Sequence, residues 1–299
     1  MIQLISATKL FDDKTALDSA TVSIEPKTIY GLVGTNGSGK STMLRLISGV
    51  YKANEGSVIL DGEQIFENPE AKSRIFFVSD DLYFHPQATL SSMARFYRAA
   101  YPRWDEERYK KLCELFPIGT KKKLSSFSKG MRRQAALILA LSAAPDYLLL
   151  DEAFDGLDPV IRYAVRKIIS DIIFEHGITV IISSHNLREL EDFCDRVGLL
   201  HGGKFKLECN IDDIHLGFSK VQAVFKPMPE EFDLGEIRIL SKEVRGSVAT
   251  LICAAGEEAS LEAVQKLNPI LAEAVSLTLE EVFIYEMEAV GYDYTKIIF

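Results

Sequence analysis

The chain has 299 residues, of which 47% are hydrophobic and 26% are charged, and this length is enough for one large domain and a small one or for two medium domains. The net charge of −9 is uneven, because residues 1–215 carry 27 basic and 29 acidic groups whereas residues 216–299 carry 7 and 14. This acidic balance lacks the basic surface of proteins that bind nucleic acids, so we expect no nucleic-acid partner. The cysteines are far apart and show no metal-binding spacing, which favours a reducing compartment and a cytoplasmic location.

Neither the N-terminal segment nor the most apolar stretch predicts insertion into a membrane. The N-terminal segment has no basic head, long apolar run or cleavage site, and indicates a strand and not a signal peptide. The stretch from Ala135 to Leu150 is interrupted by polar residues and is too short to cross a bilayer. Any membrane association is therefore expected to occur only through a partner.

Short apolar segments alternate with helical patterns along the first 215 residues. The predicted strands are Ile29–Val33, Arg74–Val78, Tyr147–Leu150, Thr179–Ser183 and Val197–Leu200. Such alternation predicts an α/β fold with a mainly parallel sheet covered by helices. The strand signal disappears between residues 85 and 140, where apolar residues recur at helical spacing. We therefore predict a helical insert over about residues 81–140, with its aromatic residues in the core.

A glycine-rich segment follows the first predicted strand and precedes a predicted helix. It comprises Gly34, Thr35, Asn36, Gly37, Ser38, Gly39, Lys40, Ser41 and Thr42. Glycines allow the backbone N–H groups of such a loop to turn towards a polyphosphate, and a lysine and a hydroxyl at these positions can reach the phosphates and Mg²⁺. The segment predicts an ATP site in which Lys40 binds the β and γ phosphates and Ser41 holds Mg²⁺.

Two carboxylates end the apolar strand that begins at Tyr147. Asp151 and Glu152 are expected at the carboxyl edge of the sheet, beside Ser41. Asp151 is predicted to order the Mg²⁺ ligands, and Glu152 to polarise an attacking water. A strand followed by an acidic helix start is common, so this motif indicates a nucleotide site mainly because Lys40 is also present.

Two further segments narrow the class of protein. Phe127-Ser128-Lys129-Gly130-Met131-Arg132-Arg133-Gln134 precedes the two carboxylates, and Ser183-Ser184-His185 follows them. Over residues 1–215, the set resembles the ATP-binding subunit of ABC transporters, in which a phosphate loop, a signature sequence, a carboxylate strand, a loop with an aspartate and a switch histidine occur in this order. The resemblance implies a P-loop ATPase sheet domain with a helical insert.

The resemblance also implies roles for residues outside the phosphate loop. Phe11 corresponds to the aromatic residue that stacks on adenine, although a buried aromatic at a strand end is an open alternative. The signature residues are Ser128, Lys129, Gly130 and Met131, with Lys129 in place of the first glycine. In the family they contact the ATP of the opposite subunit, while Asp158 lies in the loop at the dimer interface. His185 corresponds to the catalytic residue that senses the γ-phosphate.

One position departs from the family pattern. In the family, a glutamine contacts Mg²⁺ in the loop that joins the sheet domain to the helical insert, but this chain has Asp80 there. A carboxylate oxygen is a stronger Mg²⁺ ligand than an amide, yet added negative charge near the γ-phosphate can slow assembly of the site. We expect Asp80 to contact Mg²⁺.

Residues 216–299 are predicted to form a small α+β appendix. Strands are expected at Val221–Phe225, Glu236–Leu240 and Ser247–Cys253, and helices at Ser260–Leu267 and Thr278–Met287. The segment beginning at Ser276 resembles the C-terminal part of subunits from bacitracin-resistance, antimicrobial-peptide and peptide-toxin exporters. The resemblance implies a homodimer that binds ATP and Mg²⁺ between its subunits and powers a separate transmembrane permease at the inner face of the cell membrane. The alternatives are a soluble regulatory ABC ATPase and a P-loop small-molecule kinase.

Overall fold

The computed structural model describes residues 1–116, 118–275, 277–282 and 284, without the side chains of residues 214–216. These residues divide into two compact units, the first comprising residues 1–186 and 196–206 and the second residues 187–195 and those from Leu207 onward. The sequence analysis placed the boundary at residue 215, so residues 187–195 and 207–215 group differently from that expectation. None of the described helices is long and apolar enough to cross a bilayer.

The described residues form both strands and helices. The strands are β1 (Ile2–Phe11), β2 (Lys14–Ile24), β3 (Ile29–Val33), β4 (Glu55–Leu60), β5 (Glu63–Gln64), β6 (Ile75–Val78), β7 (Tyr147–Asp151), β8 (Thr179–Ser184), β9 (Arg196–His201), β10 (Lys204–Asn210), β11 (Ser219–Val224), β12 (Ile239–Arg245), β13 (Val248–Cys253) and β14 (Leu271–Val275). The α-helices are α1 (Lys40–Ile47), α2 (Pro69–Ser73), α3 (Leu90–Ala100), α4 (Glu106–Leu115), α5 (Lys129–Ala143), α6 (Pro159–His176), α7 (Leu187–Glu191), α8 (Ile211–Gly217) and α9 (Glu257–Gln265).

The first unit is built around a six-stranded sheet with the order β10-β9-β3-β8-β7-β6. Strand β3 pairs in parallel with β8 and β9, and β7 pairs in parallel with β6 and β8. Every residue of β3 and β7 is buried, which explains why both strands appear in the sequence as continuous apolar runs. The predicted parallel sheet is confirmed, and the carboxyl ends of β3, β6, β7 and β8 meet at one edge.

A second, antiparallel sheet has the order β2-β1-β4-β5 and was not predicted beyond its first strand. Its buried face shares a core with α1, in which Leu4, Leu17, Met43 and Leu46 are at most 1% exposed. Burial of each such side chain contributes about 1.5–3 kcal/mol relative to exposure. This packing fixes helix α1, and with it the segment from Gly34 to Thr42.

Helices α3, α4 and α5 lie between β6 and β7 and form the predicted helical insert. Leu90 and Leu112 are buried, as the helical spacing indicated. Phe96 is 63% exposed, so the expectation that the aromatic residues of α3 all belong to the core is wrong for this residue. It occupies the solvent side of an amphipathic helix.

The second unit has an antiparallel sheet with the order β12-β13-β11-β14 and helix α9 packed against it. Phe225, Leu251 and Val264 lie in its core. The strand expected at Glu236–Leu240 instead begins at Ile239, and β14 was not predicted because its short, weakly apolar segment gives little signal. The helix expected at Thr278–Met287 lies partly outside the described residues.

Candidate functional site

The segment from Gly34 to Thr42 joins β3 to α1 and includes the first turn of that helix. Gly39 has φ of 111°, and a Cβ atom there would lie 2.6 Å from the carbonyl oxygen of Ala16, so only glycine fits. Helix α1 has no side-chain cap and no acidic residue in its first turn. Its free N–H groups and positive helix end therefore form an anion-binding site.

Lys40 lies at the base of this loop and is only 6% exposed. Its Nζ donates hydrogen bonds to the carbonyl oxygens of Gly34, at 2.7 Å, and Thr35, at 3.4 Å. The same ammonium group lies 3.4 Å from Oε1 of Glu152. Lys40 thus places a positive charge between the loop and a carboxylate, where it can bind phosphate oxygens.

Asp151 is completely buried at the end of β7. Its Oδ1 accepts hydrogen bonds from Ser183 Oγ, at 2.7 Å, and from Ser41 Oγ, at 3.1 Å. Its Oδ2 is also buried and has no hydrogen-bond partner among the residues that the structure describes. Since an unpaired buried carboxylate oxygen is costly, this atom fits a site that could hold a cation beside Ser41.

These donors suit Mg²⁺, which proteins commonly hold with one or two carboxylates while nucleotide phosphates and water complete its coordination. Among the described residues, no group of three or more His, Cys, Asp or Glu side chains is arranged to hold a metal without such help. The hydroxyl of Ser41 and the carboxylate of Asp151 are protein groups that fit this ion.

Glu152 follows Asp151 in a left-handed backbone conformation, with φ of 48°. Its N–H group donates to Ser183, at 3.1 Å to the hydroxyl and 3.2 Å to the carbonyl oxygen. Its Oε2 lies 2.8 Å from Nδ1 of His185, and its side chain is 15% exposed. The carboxylate is therefore fixed in a partly open position, where it can accept a proton from a water molecule.

A cleft of about 320 Å³ lies over the loop. It is lined by Phe11, Lys14, Ala16, Asn36, Gly37, Ser38, Gly39, Lys40, Ser41, Thr42, Asp80 and Glu152. Phe11 is 39% exposed, and its ring contacts that of Tyr51 edge to face, with centroids 5.2 Å apart. The cleft thus has an exposed aromatic ring as well as phosphate-binding groups. Lys14 and Ala16 were missed in the sequence analysis because no motif marks β2.

Ser128 and Asp158 are both helix N-caps. Ser128 Oγ accepts a hydrogen bond from the N–H of Met131, at 3.2 Å, at the start of α5. Asp158 Oδ1 accepts hydrogen bonds from the N–H groups of Val160 and Ile161 at the start of α6. In the described part of the chain, Ser128–Met131 and Asp158 do not line the cleft. The signature and the phosphate loop are separate surfaces of one chain.

Asp80 lines the cleft and is 48% exposed, but its carboxylate is already engaged. Its Oδ1 accepts a hydrogen bond of 2.6 Å from Nη2 of Arg133, a residue of α5 that the sequence analysis quoted without assigning a role. Lys129 lies 3.9 Å from the same oxygen and 3.3 Å from Oδ2 of Asp155. Burial opposes ionisation of Asp155, but the hydrogen bond from Lys129 and the charges of Lys129 and Arg133 hold its pKa below the usual range.

A phosphate loop before a helix, a buried carboxylate beside the loop hydroxyl and a second carboxylate paired with histidine define the site of a P-loop nucleoside triphosphatase. Comparison with known proteins agrees with this class. Residues 17–155 match the family model described as ABC transporter.

Several curated ATP-binding proteins are similar to this chain in sequence. The ABC transporter ATP-binding protein YtrB of Bacillus subtilis is 30% identical over 95% of this chain and 97% of its own length. The bacitracin transport ATP-binding protein BcrA of Bacillus licheniformis is 30% identical over 72% of this chain and 71% of its own. A methionine import ATP-binding protein of Legionella pneumophila is 31% identical over 76% of this chain and 69% of its own.

The fold also matches a solved dimeric ATP-binding cassette in a post-hydrolysis state, bound to ADP and Pi, with a TM-score of 0.61, 22% identity and coverage of 71% of this chain and 99% of that one. The chain therefore belongs to the family of ABC transporter ATP-binding proteins, and it binds and hydrolyses ATP. The match with YtrB over 284 residues includes most of the second unit.

Proposed function

We propose that this chain powers an ABC exporter of peptides or other small molecules, as one half of a dimer that encloses ATP between its subunits. The observation that carries the ATPase part is the convergence of Lys40, Asp151, Glu152 and His185 at one edge of the parallel sheet. These residues combine phosphate binding, a cation site and a base for water in one place.

The roles of the site residues follow from their contacts. Glu152 accepts the proton of the attacking water, and His185 holds the Glu152 carboxylate in place while remaining exposed enough to contact the γ-phosphate. Lys40 moves from the carbonyl oxygens of its loop to the β and γ phosphates. Phe11 stacks on adenine, which its partial exposure at the cleft supports.

Ser41 and Asp151 would hold Mg²⁺, which supplies charge neutralisation of the phosphates when it is bound. We further propose that Asp80 contacts this ion, since it lines the same cleft. Because Oδ1 of Asp80 accepts the bond from Arg133, we assign the metal contact to Oδ2. This proposal fails if Asp80→Ala changes neither the Mg²⁺ dependence nor the rate of hydrolysis.

A head-to-tail dimer would bring the two separate surfaces of the chain together. The signature residues Ser128–Met131 of one copy would contact the γ-phosphate held by the other copy, and Asp158 would lie at the contact between them. The N-terminus of α5 suits this role because its N–H groups favour an anion. The solved cassette that binds ADP and Pi as a dimer supports the arrangement.

We propose that a separate transmembrane permease binds the segment between Asp80 and α3, which would place the chain at the inner face of the cell membrane. Tyr83 is 84% exposed and Phe96 is 63% exposed, so each presents a large aromatic side chain to a partner. These side chains suit the apolar face of a short cytoplasmic helix from the permease.

The direction of transport rests on the relatives. BcrA, named for bacitracin transport, supports an exporter, whereas the methionine import protein represents the opposite direction. A tagged copy should be recovered from detergent-solubilised membranes of the native organism with a multi-spanning protein in equal amount, identified by mass spectrometry. Recovery only from the soluble fraction, without such a partner, would favour a regulatory ABC ATPase.

Hydrolysis itself is tested with the purified chain, ATP and Mg²⁺. We expect release of free phosphate without any added acceptor, and loss of that release in Glu152→Gln. Phosphate transfer that requires a small-molecule acceptor would contradict the ATPase and indicate a kinase.

A further inference from the structure

Arg133 is a completely buried guanidinium in the first turns of α5. A buried charge is tolerated when it is paired and hydrogen-bonded, so its partners reveal what holds it in place. It lies one turn beyond Ser128 on the helix that carries the signature. The groups that bond to Arg133 therefore also contact α5, the helix that carries the signature.

Arg133 bonds to two loops that leave neighbouring strands of the parallel sheet. Its Nη2 donates to Oδ1 of Asp80, at 2.6 Å, and to the carbonyl oxygen of Asp80, at 3.3 Å. Its Nη1 donates to the carbonyl oxygen of Asp155 and lies 3.7 Å from Oδ2 of the same residue. The planar fork of arginine suits several acceptors at once, which a lysine ammonium cannot reproduce.

The loop at Asp155 is directly connected to Glu152. The N–H of Asp155 donates to the carbonyl oxygen of Glu152, at 3.1 Å, which closes a turn immediately after the catalytic carboxylate. Glu152 has a positive φ, a conformation that persists only when neighbouring contacts hold it. The signature helix also approaches this loop closely, because a Cβ atom on Gly130 would lie 2.9 Å from the carbonyl oxygen of Gly156.

We propose that Arg133 is a positioning residue that couples the signature helix to Glu152 and Asp80, so that the orientation of the helix sets the geometry of the catalytic carboxylate. This inference rests on the proposed ATP-dependent dimer. We name Arg133, Lys129, Asp80 and Asp155 the Arg133 cluster. When the signature of one copy binds the γ-phosphate held by the other, the cluster transmits the movement of α5 to the loop after β7 of the same chain.

The proposal predicts a loss of rate without a loss of nucleotide affinity. Arg133→Met keeps an unbranched apolar side chain but removes the guanidinium group and all its hydrogen bonds. We expect kcat to fall by about 10- to 100-fold, the range that a small misplacement of a catalytic group causes. The Kd for a fluorescent ATP analogue should stay within about twofold, because no Arg133 contact reaches the phosphate loop. Arg133→Lys, which restores one charged donor, should recover part of the rate.

Asp80→Asn gives an independent test, because this half-exposed residue tolerates the change. It should lower kcat by several-fold in the wild-type background and by less in Arg133→Met, where the contact between the two residues is already lost, since interacting residues are not additive. Arg98→Met is the matched control: Arg98 is 53% exposed, pairs with Glu106 in the same helical insert and should leave the rate unchanged.

Three results would overturn the proposal: a wild-type kcat in Arg133→Met, equal losses of kcat and affinity, or additive effects of Asp80→Asn and Arg133→Met. If Arg133→Met does not fold, the Arg133→Lys and Asp80→Asn variants decide, and a wild-type kcat in both would refute the coupling. Failure of the proposed function is distinguishable, because the wild-type chain itself would then release no phosphate or form no ATP-dependent dimer.

Discussion

The loops after β6 and β7 leave the same edge of the parallel sheet, and both carry acidic residues to the nucleotide cleft. At the end of β7 and immediately after it, Asp151 and Glu152 are buried or nearly so, and groups of the sheet domain hold them: Ser41, Ser183, Lys40 and His185. In the loop after β6, Asp80 is half exposed, and a residue of the helical insert holds it. Asp151 and Glu152 thus have direct partners in the sheet domain, whereas Asp80 is held directly by the helical insert. The insert also reaches Glu152, but through the turn at Asp155.

This difference distinguishes a group that takes part in the reaction from a group that can regulate it. Asp151, held by Ser41 and Ser183, is arranged before ATP binds, which favours catalysis because this group needs no reorganisation during the reaction. A group held by the helical insert responds to the position of α5. The same type of substitution in the two loops should therefore have unequal effects.

The largest effect is expected for Asp151→Asn. Loss of the charge beside Ser41 should lower kcat by about 100-fold or more, because the buried carboxylate would no longer neutralise the cation. Asp80→Asn, the same change in the other loop, should cost only several-fold. Steady-state phosphate release at saturating ATP measures kcat of both variants. Equal losses of kcat would contradict the proposed difference between the loops.

Ser183→Ala removes the hydroxyl that bonds to both Asp151 and the N–H of Glu152. We expect a loss of about tenfold in activity or in Mg²⁺ affinity, the usual cost of losing a group that orients a metal ligand. Ser184→Ala is the matched control, since the Ser184 hydroxyl bonds to the N–H of Asn186 and not to either carboxylate. A Mg²⁺ titration of ATPase rate distinguishes them; similar curves would refute the role of Ser183.

Phe11→Ala should weaken ATP binding and leave kcat near its original value. Stacking of a base on an aromatic ring contributes about 1–3 kcal/mol, so Kd should rise about tenfold or more. Phe11→Tyr should restore the affinity, and Phe96→Ala, which removes an exposed ring from α3, should not change it. An unchanged Kd in Phe11→Ala would support the alternative of a purely structural aromatic residue.

The smallest effect on activity is expected from the second unit. Glu281 accepts hydrogen bonds from Lys220, at 2.6 Å, and from the N–H and hydroxyl of Thr278, at 3.0 and 3.2 Å. Burial raises the pKa of Glu281, but Lys220 and Thr278 outweigh it, so the pKa lies below its usual value. Glu281→Gln should lower stability by about 1 kcal/mol, the typical value of a helix cap, with no change in the ATPase rate of the first unit.

The lowered pKa of Glu281 determines the direction of the pH dependence. Its stabilisation is fully present above the unfolded-state pKa, about 4.3, and is lost as pH falls through the lower folded-state pKa. Urea unfolding at pH 7 and near pH 4 should therefore show a smaller difference between Glu281→Gln and wild type at the lower pH. A difference that grows with acidity would contradict the assignment.

The catalytic loop could be predicted from sequence because its chemistry depends on residues close together in the chain. The segment from Gly34 to Thr42 and the pair Asp151 and Glu152 each end a buried strand, and parallel pairing brings such ends to one edge. The family resemblance added the order of the remaining motifs. The parallel sheet and the helical insert could also be predicted, and were confirmed, because their patterns lie within short stretches of the chain.

The Arg133 cluster could not be predicted, because it joins residues more than fifty positions apart through a helix whose orientation depends on tertiary packing. Asp80 stood out as a departure from a pattern, but nothing near it in sequence identifies Arg133 as its partner. Strands β2 and β4 were missed for a related reason: they belong to an antiparallel sheet whose half-exposed strands lack a continuous apolar run.

The proposed ATP-dependent dimer is tested most directly by the mass of Glu152→Gln in solution, measured by light scattering during gel filtration with and without ATP and Mg²⁺. Loss of the base should stop hydrolysis but preserve binding, so the account predicts a monomer without ATP and a stable dimer with ATP. Adding Ser128→Arg to the same variant should prevent the dimer by blocking the signature. A protein that binds ATP and stays monomeric would contradict the account.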